Sequence, residues 1–366
     1  MKMMKRKAMP TILVAVIVLL LLPGLACNLF SAQPDEPEVV EEPIVIEEPE
    51  LEVEPDFRPE QALRLDFEDT VHNVAFGHGG DLIAAGTGTQ VEIWDASDGS
   101  LVHSLEVRSR VNGLTFLSGD DAVALSLNVW YTYIFDLATG EEGLSFDDRG
   151  YDHSQALAPD GARIATGNRD GKTWLWDVEN GTLILEMDPA DEIEGFSEVL
   201  TALAYAPDGA MIAAGHWNGT IFLWDANSGD LIRSIEPENN SDNAWGLTFS
   251  PDGQYLAVGG RNVEFNDVIK VFQVSDGSLA RVLDQYSRSG ATSAPVAFSP
   301  DGTLLAAGAM DGIYIWALPD YELLHTIPIE DGGESNWVTD LDFSPDSQYL
   351  LAGYWDNYAI LWQVQE

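Results

Sequence analysis

One phrase of about forty residues constrains the fold of this chain more than any other feature, because it recurs along most of the chain. The phrase is clearest at residues 199–236, where four short apolar runs are separated by turn signals. Pro-Asp-Gly at 207–209 favours a tight turn, and Asn-Gly at 218–219 is a strong hairpin signal. The phrase therefore predicts a four-stranded antiparallel sheet, which cannot bury both of its faces unless other copies pack against it.

Seven copies of the phrase follow one another. They begin at Val71, Val111, Tyr151, Val199, Asn243, Ser293 and Trp337. An aromatic residue in the predicted third strand marks each copy, and neighbouring aromatic residues are 41 to 48 positions apart: Trp94, Phe135, Trp176, Trp224, Phe272, Trp316 and Trp362. A period of this length predicts one structure built from stacked sheets.

The two ends of the repeat region complement each other. The seventh copy reaches residue 366 without a fourth strand, whereas residues 62–67 stand where the fourth strand of a preceding copy would be. We therefore expect these residues to complete the last sheet and close a ring, which leaves no sheet incomplete. The alternative is an open β-solenoid, but a solenoid would not need the displaced strand.

The repeats resemble the WD40 family of β-propellers. The resemblance covers residues 61–366 and rests on Ser-Pro-Asp-Gly turns at 250–253 and 299–302, Asp-Gly turns at 170–171 and 311–312, and Trp-Asp pairs at 94–95, 176–177 and 224–225. It implies an all-β, seven-bladed propeller closed by an N-terminal strand. No copy has the family's Gly-His before its first strand, and only three keep Trp-Asp. We therefore expect the family's buried His–Asp–Trp network to be absent.

Most of the repeated residues have a structural interpretation. The apolar residues beside each third-strand aromatic residue are expected to face a neighbouring blade: Ile93, Leu175, Leu223, Ile315 and Leu361. Ala-Ala-Gly triplets at 84–86, 213–215 and 306–308 should let neighbouring sheets approach closely. The aspartates of the Pro-Asp-Gly turns are expected to hold those turns.

The N-terminus is typical of an export signal. Four basic residues precede an apolar run at 11–22, which ends at a Pro-Gly pair. The lone cysteine, Cys27, resembles the lipid-modified residue of a bacterial lipoprotein, although Gly24 and Leu25 depart from the usual pattern. The alternatives are an uncleaved anchor at 8–30 and plain cleavage. Lipidation or an uncleaved anchor would hold the protein to the outer side of the cytoplasmic membrane.

Three segments follow from this interpretation. Residues 1–27 are the export signal or anchor, residues 28–60 are a disordered linker rich in proline and glutamate, and residues 61–366 are the propeller. The linker is interpreted as a stalk, and an acidic docking motif or a cation sponge is the alternative. A single cysteine excludes an intrachain disulfide framework.

Charge and motifs exclude several functions. The formal net charge of −44 argues against nucleic acid and anionic lipid as partners of the folded part, and it permits cationic partners. The six histidines have no metal-ligand spacing, and no HExxH, GxSxG or D-x-D-x-D-G string occurs. We expect no cofactor, no metal site and no enzymatic activity.

The remaining signal lies in one set of loops. In a propeller, loops after the second and fourth strands share one face, here called the upper face, and turns after the first and third strands form the lower face. Non-repeated aromatic residues collect in the upper loops or just before first strands, and the candidate partner-binding residues are Trp217, Trp355, Trp130, Trp245, Trp337, His216 and Tyr354. Phe196 and Tyr286 join them, among acidic residues at Asp188, Asp191, Glu192, Glu194, Glu238, Asp242, Glu330, Asp331 and Glu334.

Exposed aromatic residues among charges are typical of a recognition surface, and the alternative is that these tryptophans cap the core. We therefore expect a monomeric, membrane-tethered scaffold that binds a protein or peptide through the upper face. An extracellular carbohydrate-binding module or hydrolase using the same face is the alternative. A surface-layer spacer without a specific ligand is a third possibility.

Overall fold

The computed structural model describes residues 57–128, 131–147, 152–193, 198–237, 243–261, 267–283, 294–329 and 336–365. These residues lie in one compact unit, Pro55–Glu366. They form twenty-eight strands and one short helix, and the strands make seven antiparallel sheets of four strands each. The predicted all-β, seven-bladed propeller is confirmed.

Each blade runs from a first strand at the centre to a fourth strand at the rim. Blade 1 holds β2 (Asn73–Phe76), β3 (Leu82–Gly86), β4 (Gln90–Asp95) and β5 (Leu101–Glu106); blade 2 holds β6 (Val111–Phe116), β7 (Ala122–Leu127), β8 (Tyr131–Asp136) and β9 (Glu142–Asp147); blade 3 holds β10 (Asp152–Leu157), β11 (Arg163–Asn168), β12 (Thr173–Asp177) and β13 (Leu183–Met187). Blade 4 follows the helix α1 (Pro189–Glu192) and holds β14 (Leu200–Tyr205), β15 (Met211–His216), β16 (Ile221–Asp225) and β17 (Leu231–Ile235).

The other three blades complete the ring. Blade 5 holds β18 (Gly246–Phe249), β19 (Tyr255–Arg261), β20 (Asp267–Gln273) and β21 (Leu279–Leu283), and blade 6 holds β22 (Val296–Phe298), β23 (Leu304–Gly308), β24 (Gly312–Ala317) and β25 (Glu322–Pro328). Blade 7 holds β26 (Val338–Phe343), β27 (Tyr349–Tyr354), β28 (Tyr358–Gln363) and the N-terminal strand β1 (Glu60–Asp66). Each first strand contacts the first strand of the next blade, and β26 contacts β2, so the ring is closed.

The closing strand lies in the last sheet, as the position of residues 62–67 before the first copy predicts. β1 pairs antiparallel with β28, from Glu60 opposite Gln363 to Asp66 opposite Tyr358. Leu65 contributes to the apolar cluster between blades 7 and 1. The chain therefore holds its first and last blades together through one shared sheet, and the open solenoid is excluded.

Close packing between blades depends on the glycine that ends the second strand. A Cβ atom at Gly308 would lie 2.5 Å from Val338 Cγ1, and one at Gly86 would lie 2.8 Å from Val111 Cγ1. The residues expected to face a neighbouring blade are buried, with exposed fractions of 0% at Ile93, Leu175, Leu223 and Ile315 and 3% at Leu361. Burial of each such side chain stabilises the fold by roughly 1.5–3 kcal/mol.

Two of the third-strand tryptophans donate to partners other than a His–Asp pair. Trp176 Nε1 donates to Thr166 Oγ1 at 2.9 Å, and Trp362 Nε1 donates to the Tyr354 hydroxyl at 3.2 Å. Trp94 Nε1 and Trp224 Nε1 are buried without a hydrogen-bond partner among the described residues. These indoles therefore contribute mainly through packing.

Candidate partner-binding face

Two upper-face tryptophans occupy equivalent positions in blades 4 and 7. Trp217 follows β15, and its backbone N–H donates to the carbonyl of Val199 at 2.8 Å. Trp355 follows β27, and its N–H donates to the carbonyl of Trp337 at 3.0 Å. In both blades the preceding residue ends the second strand and pairs with the start of the first. The backbone therefore fixes each tryptophan at a strand end.

The first group of aromatic residues, the Trp217 cluster, contains Trp217, Trp245, Arg261 and Asn243. The rings of Trp217 and Trp245 lie 5.9 Å apart and are tilted by 59°. The guanidinium carbon of Arg261 lies 4.8 Å from the Trp245 ring centroid, which is a cation–π distance. Asn243 Nδ2 donates to the carbonyl of Trp217. With 52% of its surface exposed, Trp217 presents the most exposed large apolar side chain among the described residues.

The second group, the Trp355 cluster, contains Trp355, Trp337 and His72. Trp337 and Trp355 stack with ring centroids 4.3 Å apart and planes 21° apart. The His72 ring meets Trp355 edge-on at 5.7 Å. Both tryptophans are half-buried. This cluster joins the first strand of blade 1 to the upper loop of blade 7, across the seam where the ring closes.

His72 is an uncharged member of this cluster. Burial and the nearby Arg110 lower the pKa of His72 to about 4, and Asp69 opposes that change only in part. The imidazole is therefore neutral at physiological pH. It acts in the cluster as an aromatic ring, without adding a positive charge to the upper face.

Two of the candidate residues are corrected by the structure. His216 has an exposed fraction of 0%: its Nε2 lies 3.1 Å from the carbonyl oxygen of Gly171, and burial lowers its pKa. Tyr354 has an exposed fraction of 2%: it stacks on Tyr358 at 4.5 Å, and burial raises its pKa. Both residues end second strands and are buried. They therefore support the loops and have no surface to offer a partner.

Several of the other expected residues lie outside the described residues. These are Cys27, Trp130, Phe196, Tyr286, Glu194, Glu238, Asp242, Glu330, Asp331 and Glu334. Of the described acids, Asp188 caps α1 by accepting from the N–H of Ala190 at 2.9 Å and lies 2.8 Å from Lys172 Nζ. Burial alone would raise the pKa of Asp188, but the hydrogen bonds from Lys172 and Ala190 outweigh burial and lower it. Asp188 is thus a structural residue of its loop.

His72, Arg261 and Asn243 are the members of the two clusters that were not among the candidate residues. His72 and Trp245 stand at the same position, immediately before the first strands β2 and β18. Each contacts the tryptophan that follows the second strand of the preceding blade. Alignment of the copies on their first strands would have indicated the contact of His72 with Trp355 and that of Trp245 with Trp217.

The central channel contains a cavity with polar lining residues and lies beside two aspartates of β26. A cavity of about 230 Å³ is lined by residues of all seven first strands or their immediate flanks, including Asn73, Ser154 and Asp340. Asp340 accepts from the N–H of Val74 at 3.0 Å, and Asp342 accepts from the N–H of Phe76 at 2.8 Å. Burial raises the pKa of Asp340 to about 6 and that of Asp342 to about 7. Two carboxylates therefore join β26 to β2 at the closing seam.

The described part of the chain offers few other features with a chemical function. Within it, no group of three or more His, Cys, Asp or Glu side chains is placed to hold a metal ion. No helix in these same ranges is both long enough and apolar enough to cross a bilayer. Its one helix, α1, has four residues.

Four segments match the family described as "WD domain, G-beta repeat": residues 188–225, 229–272, 293–314 and 322–363. The chain is 44% identical over 73 residues to human apoptotic protease-activating factor 1, covering 19% of this chain and 6% of that protein. It is 32% identical over 129 residues to mouse echinoderm microtubule-associated protein-like 1, covering 33% of this chain and 14% of the relative. It is 31% identical over 122 residues to the small ribosomal subunit protein RACK1 of Candida albicans, covering 32% of this chain and 36% of the relative. The similarity therefore concerns repeats, and each match spans a minor part of the relative.

Proposed function

We propose that this chain is a protein-interaction scaffold whose upper face binds a protein or peptide through the Trp217 and Trp355 clusters. Its repeats are similar to WD repeats, and propellers of that kind typically bind proteins. The observation that carries the proposal is the exposed indole of Trp217, which packs against Trp245 beside the guanidinium of Arg261. Tryptophan and arginine are the residues that most often dominate binding energy at protein interfaces.

The loop that carries Trp217 is held in one conformation. Its backbone N–H is bonded to Val199, and Asn218 Oδ1 accepts from the N–H of Thr220 at 3.0 Å. A side chain that is already ordered loses less entropy on binding than one on a free loop. The exposed indole is therefore suited to act as an anchor residue.

The charge of the chain points to the chemistry of the partner. With 61 acidic and 17 basic residues, the protein attracts cationic surfaces and repels nucleic acid and anionic lipid. A basic protein or peptide is therefore the favoured partner. Such attraction would raise the association rate and weaken with added salt.

The N-terminal segment supports a membrane-tethered location on the extracytoplasmic side. The anchor would be lipid on Cys27 or an uncleaved apolar segment. β1 begins opposite Gln363, at the lower-face end of β28, and the two tryptophan clusters stand on the opposite face. A mass spectrum of membrane-extracted protein tests the anchor, because lipid on Cys27 adds a defined mass.

The test of the binding face is the Trp217→Ala, Trp355→Ala double variant. Wild-type and variant protein would capture partners from an envelope extract, and the dissociation constant of each identified partner would then be measured. We expect at least about a thirtyfold loss of affinity, since an anchor residue contributes about 2 kcal/mol or more. Leu183→Ala is the matched control, because Leu183 is 47% exposed but lies in β13 at the rim. Unchanged affinity in the double variant would place the site elsewhere.

Carbohydrate binding is the second candidate function. The exposed Trp217 ring, with the tilted Trp245 ring beside it, provides an apolar surface of the kind that sugar rings stack on. A glycan array separates the two functions. A specific glycan that binds the wild type but not the double variant, together with no captured protein, would favour a carbohydrate-binding module.

A further inference from the structure

A cleft of about 680 Å³ opens on the lower face between blades 7 and 1, on the opposite side of the ring from both tryptophan clusters. We name it the seam cleft. Its apolar residues are Ala62, Leu63, Phe76, Ala96, Pro345, Tyr349 and Leu361, most of which belong to the apolar cluster between these blades. The remaining lining comes from turns of both blades. Its volume is in the range of clefts that hold ligands in other proteins.

The turn of blade 1 that borders this cleft differs in sequence from the turns of blades 5 and 6. Residues 77–80 read Gly-His-Gly-Gly where blades 5 and 6 have Ser-Pro-Asp-Gly, so Gly79 stands at the position of Asp301. The turn is held from its other side, because Asp120 of blade 2 accepts from the N–H groups of His78 at 2.7 Å and Gly79 at 2.8 Å. These bonds tie the turn that borders the cleft to blade 2.

Two other seams on the lower face are bridged by the protein's own side chains. Between blades 3 and 4, Arg163 Nη1 donates to the carbonyl of Ala226 at 2.9 Å and to Asn227 Oδ1 at 3.3 Å. Between blades 6 and 7, Gln365 Nε2 donates to Thr303 Oγ1 at 2.9 Å. At the seam cleft the residue in the position of Gln365 is Ser97, which turns back and donates to Asp95 Oδ1 at 2.5 Å. Ser97 therefore makes no bridge of the kind that Gln365 makes.

The rim of the seam cleft is acidic. Asp81, Asp98 and Asp346 line it, all three are exposed, and no lysine or arginine is among its lining residues. Asp98 Oδ1 accepts from the N–H of Ser100 at 2.9 Å, and Asp346 Oδ1 accepts from Ser344 Oγ at 2.5 Å. In each of these two carboxylates the bonds fall on Oδ1, and a carboxylate oxygen is a strong acceptor for a cationic donor.

We propose that the seam cleft binds a short peptide segment in which an apolar side chain is flanked by lysine or arginine. The apolar side chain packs on Leu63, Tyr349 and Leu361. The flanking basic groups pair with the rim carboxylates of Asp81, Asp98 and Asp346. The propeller would then hold a second partner on its lower face, separate from the partner of the upper face.

A second cleft on the same face provides an internal comparison. The cleft between blades 5 and 6 measures about 710 Å³ and has Tyr255 and Phe298 where the seam cleft has Tyr349 and Phe76. It differs by a basic residue, Arg281, whose guanidinium carbon lies 6.0 Å from the Tyr321 ring centroid. That charge makes the second cleft less favourable for a basic peptide.

The experiment uses the full chain and a photoreactive tripeptide, acetyl-Lys-benzoylphenylalanine-Lys-amide, with the Glu-flanked peptide as its charge control. We expect saturable labelling of residues around Leu63, Pro345 and Tyr349, with little labelling around Tyr255 and Tyr321. Asp81→Asn with Asp98→Asn should weaken binding about tenfold, because two rim ion pairs are lost. The same change at Asp160 and Asp208, which lie in lower-face turns of blades 3 and 4, is the matched control.

Ser97→Arg provides an independent test that does not depend on removing charges. The new guanidinium should occupy the rim from within the protein and reduce labelling at the cleft at least about tenfold, with little change in thermal stability. The proposal is overturned if the Lys-flanked probe does not bind saturably, or if it labels the blade 5–6 cleft or the upper face instead. It is also overturned if the variant at Asp160 and Asp208 weakens binding as much as the rim variant, since binding would then reflect only the net charge.

Discussion

The lower and upper faces of this propeller are made by the ends of the same strands, yet their chemistry differs. On the lower face one arrangement recurs: Ser299 Oγ accepts from the N–H of Leu304 at 2.9 Å, and Ser344 Oγ accepts from the N–H of Tyr349 at 2.9 Å. On the upper face Trp217 contacts Trp245 of the next blade, whereas Trp355 contacts Trp337 of its own blade and His72 of the next. The repeated residues hold the blades together, and the surfaces that we propose for binding lie where the repetition is broken.

The same rule explains why the lower face also has a candidate site. The turn at residues 77–80 has Gly-Gly where blades 5 and 6 have Asp-Gly. The seam cleft is lined by both of these glycines. On both faces the residues that we propose as functional therefore include departures from the repeat, and no single residue type marks them.

The largest effect is expected from loss of the strand shared by both chain ends. Deletion of residues 60–66 removes the whole pairing of β1 with β28 and exposes the apolar contacts of Leu65. We expect the thermal midpoint to fall by more than about 10 °C, because several kcal/mol of pairing and burial are lost. Calorimetry measures this, and a chain beginning at residue 57 is the control. An unchanged midpoint would show that blade 7 does not depend on β1.

A smaller effect is expected from the pH dependence of Asp340 and Asp342, the two aspartates of β26. Burial raises the pKa of Asp340 to about 6 and that of Asp342 to about 7, above the value of about 3.9 in an unfolded chain. The folded state therefore binds protons more tightly. The stability that these groups contribute is fully present below about pH 4 and is lost as pH rises through 6 and 7.

Asp342→Asn tests this dependence, because an amide oxygen can still accept from the N–H of Phe76. The free energy of unfolding should fall less between pH 5 and pH 8 in the variant than in the wild type, by on the order of 2 kcal/mol. Chemical denaturation at several pH values measures the difference. Asp346→Asn, which changes an exposed aspartate of the same blade, is the control. Parallel profiles for wild type and Asp342→Asn would contradict the prediction.

The smallest effects distinguish the two faces directly. Ser299→Ala removes a buried acceptor from the N–H of Leu304 and should lower the free energy of unfolding by about 1–3 kcal/mol. Trp217→Ala removes a half-exposed side chain and should lower it by less than about 1 kcal/mol. Only the tryptophan variant should lose affinity for an upper-face partner. If Trp217→Ala destabilises the fold more than Ser299→Ala does, Trp217 is a core residue.

Much of the fold could be predicted from the sequence, because its signals are local and repeated. Seven turn patterns and seven third-strand aromatic residues gave the number of blades, and residues 62–67 indicated the closing strand. The structure places that strand at Glu60–Asp66. The glycines of the Ala-Ala-Gly triplets were also interpretable, because only a residue without a side chain fits against the next blade.

The candidate site was predicted less completely, because neighbouring residues at a strand end can point in opposite directions. His216 is buried and Trp217 is exposed, although both belong to the same loop motif. The partners of the exposed residues come from other blades: His72 lies against Trp355, and Arg261 lies against Trp245, which contacts Trp217. No pattern within a single copy carries information about such contacts.

The sequence by itself determined the number of blades, the turns and the way the ring closes, since each depends on short-range propensity repeated seven times. The tertiary structure alone decided which aromatic residues are exposed, which carboxylates join β26 to β2, and where a cleft remains between blades. These properties depend on the distance between residues such as Asp120 and Gly79, or Tyr349 and Phe76, which come together only when blades pack side by side. Closure of the ring sets those distances, because it fixes the position of every blade relative to its neighbours.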